Sequence, residues 1–280
     1  MASCLPVDRQ KEGADVSGEE DGCFPIPSNV EEVCSSFWGD KTPPVILISL
    51  DGFRSEYLTR TFPGSDSFPV TPTIQCLARK GVHAPSMMPS FPTITFPNHY
   101  SIVTVRFIPM QPFKYHCSFD WIETFVLQGL YPESHGIVSN EFYDPDLKAT
   151  FDIHKSNHLN PMWWNNGQSI WNTMRRQGKT SAVYMWPGSN IPLQTERTPN
   201  HFVGYNRSIP FKERVDQVLK WMDLPHSQRP DLTALYSEEP DSTAHRTGPS
   251  SYNVHHAAES STNQKEQYLF SYLIGSLCVT

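Results

Sequence analysis

Residues Val45 to Leu50 form an apolar run broken only by Ser49, and the run stops on Asp51-Gly52. A short apolar segment closed by a turn pair reads as a strand. Open α/β sheets place their chemistry just outside the carboxyl ends of strands. Asp51 therefore stands where a functional acid would, although Asp-Gly is also an ordinary turn after a strand. Two further strands are expected at Thr180 to Trp186 and Leu232 to Tyr236. Helices are expected from Thr71 (N-cap, with Pro72 first) to Gly81, from near Thr95 or Pro97 through Ile102, over Ser169 to Gln177, and from Ser208-Ile209-Pro210 onward. Val215, Leu219 and Met222 share one side of the last. The alternation of strand and helix predicts an α/β chain with a mostly parallel sheet flanked by helices.

The 280 residues suffice for one large α/β domain with a core. The 25 prolines and 38% hydrophobic content point to long loops and unfolded ends. Residues 1–42 read as a disordered acidic leader. Residues 105–128, with Phe107, Phe113, Tyr115, Phe119, Trp121 and Phe125, break the surrounding rhythm and read as an atypical insertion. Residues 251–280 show no clear element and read as a divergent tail. The net charge of −7 weighs against a nucleic-acid duplex as partner. A small anionic substrate would need local positive charge, most simply a metal.

None of Cys4, Cys23, Cys34, Cys76, Cys117 and Cys278 forms a CxxC pair, and the even count is compatible with disulfides. No signal peptide is visible, and the longest apolar stretch, Tyr268 to Val279, is too short to span a bilayer.

Thr95 offers a hydroxyl where a helix begins. The positive end of a helix dipole favours an alkoxide and a bound phosphate there, though a plain N-cap role is the simpler reading. Asp241 and His245 are four apart just after a strand, a spacing that lets both reach one ion. Together with Asp51 they suggest a metal-dependent hydrolase with a covalent threonine intermediate. Phe96, Trp186 and Tyr205 are core residues by base rate. They also sit beside the candidate loops, where an aromatic face could stack on a base. His99 reads as packed, His135 as part of a loop, and His255-His256 as solvated. Asn206-Arg207-Ser208 is a sequon, relevant only to a secreted chain.

These stretches resemble the ectonucleotide pyrophosphatase/phosphodiesterase family of the alkaline-phosphatase superfamily. The likeness is carried by Leu47 to Arg54, Thr95 to Thr104, Gly129 to Ile137, Met185 to Gly188 and Glu238 to Asp241, in order, over roughly residues 43 to 250. The resemblance implies an alkaline-phosphatase-like fold, incomplete at the C-terminus, with residues 43–250 as a partial catalytic domain. It implies two zinc ions. Thr95 would be the nucleophile, Asp51 would bind the zinc that activates it, and Asp241 and His245 would bind the second. Asn140 falls where the family donates to phosphate oxygens, and Phe96 and Tyr205 where it clamps a base, with Trp186 nearby. The substrate would be a small nucleotide or another phosphodiester, such as a lipid or choline ester, and the setting extracellular or at the cell surface.

Several departures matter. A later Asp-His-Gly motif and a further His, which complete the family's zinc ligands, are missing, so a catalytically impaired fragment is the competing expectation. Ala244 replaces a usual Gly and is expected to strain the loop carrying His245. Ile94 replaces a Lys seen in many nucleotide-cleaving members.

Overall fold

The computed structural model describes residues 44–62, 69–105, 129–191 and 198–261. The acidic leader, nearly all of the 105–128 insertion and the tail beyond Ser261 lie outside the described residues. In chain order the first elements are β1 (Val45–Leu50), α1 (Pro72–Lys80), α2 (Thr95–Val103), β2 (Thr104–Val105), α3 (Pro132–His135), β3 (Glu141–Asp144) and β4 (Ala149–Asp152). They are followed by β5 (Gln168–Ser169), α4 (Ile170–Arg176), β6 (Ser181–Tyr184), β7 (His201–Val203) and α5 (Phe211–Met222). The last are β8 (Leu232–Ser237), α6 (Asp241–Thr247) and α7 (Tyr252–Ser260).

The chain divides into two compact units, one of residues 1–87 and 205–280, the other of residues 88–204. In the first unit β1 and β8 pair in parallel, from Val45 opposite Leu232 to Leu50 opposite Ser237. β8 is buried along its whole length, as expected of a strand covered on both faces. Helix α5 turns Val215, Val218, Leu219, Trp221 and Met222 inward. Each such side chain contributes about 1.5–3 kcal/mol on full burial. A second cluster joins Tyr57, Val70, Val254 and Ala258, with Phe53, Phe62 and Ala244 packed against it.

That cluster overturns three expectations. Residues 252–260, which show no pattern, form α7, with Val254 and Ala258 fully buried. His255, read as solvated, is 5% exposed and packs edge-on to Tyr57 and Phe62. Its partner His256 is exposed. Ala244 lies within helix α6, and the only described non-glycine residues at positive φ are Lys148 and Met185. The expected strain at Ala244 is therefore absent, because 241–247 is a helix and needs no glycine.

In the second unit β6 and β7 pair in parallel, while β3–β4 and β2–β5 are antiparallel. The β3–β4 hairpin, β7 and β2 were not legible in the sequence. An aromatic core holds this unit together. Phe151 stacks on Phe142 at 5.1 Å and meets Trp163 edge-on at 5.6 Å. Tyr100 meets Trp164 and His135, each at 4.9 Å. The polar atoms of these rings are satisfied, as buried aromatics require: Tyr100 donates to the Gly167 carbonyl at 2.8 Å, and Trp164 to that of His158 at 2.8 Å. Gly188, at φ +84°, lets the chain pass the Trp164 ring, which a Cβ there would approach to 2.6 Å.

Candidate active site

The candidate residues fall into two groups, one in each unit. In the first unit Asp51 extends the β1–β8 ladder by one step, its N–H donating to the Ser237 carbonyl at 2.9 Å. The chain then turns sharply at Gly52, φ +65°. Asp51 Oδ1 accepts the Gly52 N–H at 3.1 Å and Oδ2 accepts the Tyr236 hydroxyl at 2.9 Å. Burial pushes the Tyr236 phenol well above its ordinary range, and the charge and hydrogen bond of Asp51 push it further. The phenol therefore remains a donor to a carboxylate.

Asp241 opens α6 beside this turn, its N–H donating to the Asp51 carbonyl at 3.1 Å. The approach is close: a Cβ on Gly52 would lie 2.7 Å from Asp241 Cβ and 2.8 Å from its Cα. One helical turn on, His245 Nε2 lies 3.3 Å from Asp241 Oδ2. The i, i+4 spacing read from sequence thus works through a helix face. The His245 side chain is 79% exposed and that of Asp241 33%.

Behind these groups, Arg214 on α5 holds Glu238 with two parallel bonds of 2.6 and 2.8 Å. This fork fixes the turn between β8 and Asp241. Tyr205 is 57% exposed, with its ring 6.5 Å from that of Tyr236.

In the second unit Thr95 is the first residue of α2, and the extended Ile94 is the N-cap. Ile94 has no side-chain oxygen to offer, so the exposed N–H groups of the first turn find partners elsewhere. One partner is Asn140, whose Oδ1 accepts the Phe96 N–H at 3.0 Å. This bond fixes the carboxamide orientation and leaves Nδ2 as the donating end. His99, as expected, is packed: it is 5% exposed and its Nδ1 lies 2.8 Å from the Thr95 carbonyl.

The aromatic candidates separate. Phe96 is half-buried, edge-on to Phe151 at 6.1 Å and His158 at 6.0 Å. Trp186 is 2% exposed, and its indole N–H donates to the His99 carbonyl at 3.0 Å. Its ring also packs edge-on against that of His99 at 5.5 Å, beneath α2.

His135 is likewise no loop residue: it ends α3 and is fully buried. Its Nδ1 accepts the Ile137 N–H at 3.1 Å, so the ring proton sits on Nε2, near Ser101 Oγ at 3.0 Å and the Pro97 carbonyl at 3.3 Å. Burial lowers the ring to about 4. A ring already protonated on Nε2 cannot take the Ser101 proton, so the pair is structural and not a nucleophile with its base.

The donor set fits zinc in kind. Two aspartates and an imidazole are borderline-hard oxygen and nitrogen ligands of the sort zinc takes, and Asp241 and His245 converge as a pair. Among the described residues, no group of three His, Cys, Asp or Glu gathers into a complete shell.

Two supporting residues escaped the sequence reading. Tyr236 is one; the available signal was a phenol near the end of an apolar strand, which needs a partner when buried. Asn98, inside the Thr95 to Thr104 stretch, is the other.

The family model described as type I phosphodiesterase / nucleotide pyrophosphatase matches residues 45–108 and 126–262. Human ectonucleotide pyrophosphatase/phosphodiesterase family member 1 is 41% identical over 238 residues, 83% of this chain and 22% of that protein. Venom phosphodiesterase 2 of Crotalus adamanteus is 42% identical over 238 residues, 83% of this chain and 25% of that protein. The solved structure of murine ectonucleotide pyrophosphatase/phosphodiesterase 5 superposes with a TM-score of 0.65 at 30% identity, covering 82% of this chain and 52% of that one. The chain thus spans about a quarter or less of these curated relatives and about half of the solved chain. The mostly parallel sheet with flanking helices is shared with these structures. The chain belongs to the type I phosphodiesterase / nucleotide pyrophosphatase family.

Proposed function

We propose that this chain carries the nucleophile and part of the metal shell of a zinc-dependent phosphodiesterase acting on small nucleotides. Thr95 Oγ attacks phosphorus, the new O–P bond forming as the P–O bond to the leaving group breaks. Water then attacks the phosphothreonine, releasing the phosphate monoester and restoring the Thr95 hydroxyl. Asn140 Nδ2 donates to a phosphate oxygen, and Phe96 and Tyr205 are the rings offered to the base. Asp51 would hold one zinc, and Asp241 and His245 the other. Bound zinc supplies Lewis-acid stabilisation of the phosphate charge and lowers the pKa of a hydroxyl or water.

The carrying observation is the start of α2: Thr95 is its first residue, and Asn140 is docked on the next N–H at 3.0 Å. Two facts about the murine relative support it: that protein has been solved with AMP, and the form solved is an inactive Thr→Ala variant. The reading also takes residues 43–250 as the catalytic part, with 1–42 as leader, 105–128 as insertion and 251–280 as tail. Helix α7 and the family match to residue 262 favour carrying the catalytic part somewhat further. It includes an extracellular setting. The relatives' names include ecto-enzymes and venom enzymes, Cys76 is disulfide-bonded, and the Asn206 sequon side is exposed and open to a glycan. No described helix is long and apolar enough to cross a membrane.

Thr95→Ala should abolish turnover of a nucleotide p-nitrophenyl ester while leaving the circular dichroism spectrum unchanged; retained turnover refutes the mechanism. A choline ester measured alongside separates nucleotide from lipid-type specificity. One observation favours a second reading, a metal-poor and non-catalytic piece: among the described residues no three-ligand group exists. Zinc stoichiometry of the purified chain decides between them, two tightly held ions supporting the enzyme and fewer than one supporting the piece.

A further inference from the structure

We infer that Asn98 is a positioning residue that sets the shape of the segment delivering Thr95, an inference that rests on reading Thr95 as the nucleophile. Asn98 lies one turn inside α2, and its carboxamide reaches back over the preceding segment. Oδ1 accepts the Ser90 N–H at 2.7 Å. Nδ2 donates to the Pro92 carbonyl at 2.8 Å and to the Ile94 carbonyl at 2.9 Å. One side chain thus engages three backbone groups within five residues.

Packing does little to hold this segment. Phe91 is 89% exposed and Ile94 36%. The helix N-terminus has no side-chain cap of its own. The segment's internal backbone bond is Ile94 N–H to the Pro92 carbonyl at 2.9 Å. What sets the approach to Thr95 is therefore mainly the carboxamide. An amide is the side-chain group that combines an acceptor with two donors in one plane. A carboxylate of the same size would keep the acceptor for Ser90, lose both donors, and turn an anionic oxygen toward two carbonyls. A displacement of about 1 Å in a reacting group costs on the order of 100-fold in rate, so the clamp acts on the chemical step more than on substrate affinity.

The test uses the full chain and two variants, Asn98→Ala and Asn98→Asp, each checked for a cooperative melt. In Asn98→Ala the Ser90 amide should exchange with solvent at least about tenfold faster, while amides of β8 keep their protection. In Asn98→Asp the Ser90 amide should remain protected, because its acceptor survives. With the p-nitrophenyl ester of thymidine 5′-monophosphate as substrate, both variants should lose at least about tenfold in kcat with KM within about threefold of the parent. A general structural role would lower the melting temperature and leave kcat per folded molecule unchanged, and that result overturns the proposal. Unchanged Ser90 exchange in Asn98→Ala overturns it as well. If Asn98→Ala does not fold, Asn98→Asp decides alone: parental kcat overturns the proposal and the stated loss supports it. An inert parent chain, or an active Thr95→Ala variant, would instead sink the nucleophile reading, and the clamp is then judged on exchange alone.

Discussion

Replacing Glu238 with Ala should be among the most damaging single changes outside the reacting groups. Arg214 is 2% exposed, and its guanidinium makes four described bonds: two to Glu238 at 2.6 and 2.8 Å, one to the Ile209 carbonyl at 3.0 Å and one to the Tyr236 carbonyl at 3.4 Å. Glu238→Ala keeps the two carbonyl contacts and removes the only anion among them, leaving a buried positive charge. Breaking such a pair from one side costs about 3–5 kcal/mol. At roughly 2–4 °C per kcal/mol for a larger domain, the melting midpoint should fall by about 6–20 °C. The assay is differential scanning calorimetry of Glu238→Ala, Arg214→Met and the double variant Arg214→Met/Glu238→Leu. The double variant should be less damaged than the sum of the singles, because it buries no lone charge. A Glu238→Ala midpoint within about 2 °C of the parent, or a strictly additive double variant, would refute the reasoning.

Burial alone would raise the Glu238 carboxyl, but the hydrogen bonds and charge of Arg214 outweigh it and hold the group below its ordinary value. Its stabilising contribution is thus present above the unfolded carboxylate range and lost as pH falls through the lower folded value.

His135 adds a second acid sensitivity. Its folded ring, lowered to about 4 by burial, binds a proton later than the unfolded ring near 6.5. Stability should therefore be full above about pH 6.5 and fall by on the order of 3 kcal/mol toward pH 4. A His135→Gln variant should lose that slope in urea-unfolding midpoints taken across this range, and an unchanged slope counts against the assignment. His255, also lowered by burial and by Arg60, shifts stability in the same direction. Gly52→Ala forces a side chain into positive φ and against the Asp241 backbone. It should cost about 2–4 kcal/mol and weaken zinc retention in a chelator competition; parental stability with undiminished retention would show that the close approach is unimportant.

Much of the first unit was legible because its signals are local. The Val45–Leu50 run, the Thr71-Pro72 start and Gly81 stop of α1, and the inward side of α5 each follow from spacing or punctuation. The Asp241–His245 spacing translated directly into a helix face. What stayed hidden depends on distant partners. His255 is one of two adjacent histidines that nothing local tells apart, and only the arrival of Tyr57 and Phe62 makes it a core residue. The hydrogen bond from the Trp186 indole N–H to the His99 carbonyl joins residues 87 apart, and no local pattern announces it. The β3–β4 hairpin eluded pattern reading because its strands are four residues each, too short for alternation to stand out.

The pairing of β1 with β8 has a consequence for biosynthesis. Val45 must wait for Leu232, 187 residues later, before its backbone finds a neighbour in that ladder. At about 5–20 residues per second of translation, the wait is roughly 10–40 s. Throughout that interval a Val-Ile-Leu-Ile segment trails the ribosome with open amides, the kind of template on which nascent chains stick to one another. Residues 88–204 are contiguous and can collapse meanwhile. The yield of native protein should therefore respond to trigger-type chaperones acting on the emerging N-terminal portion.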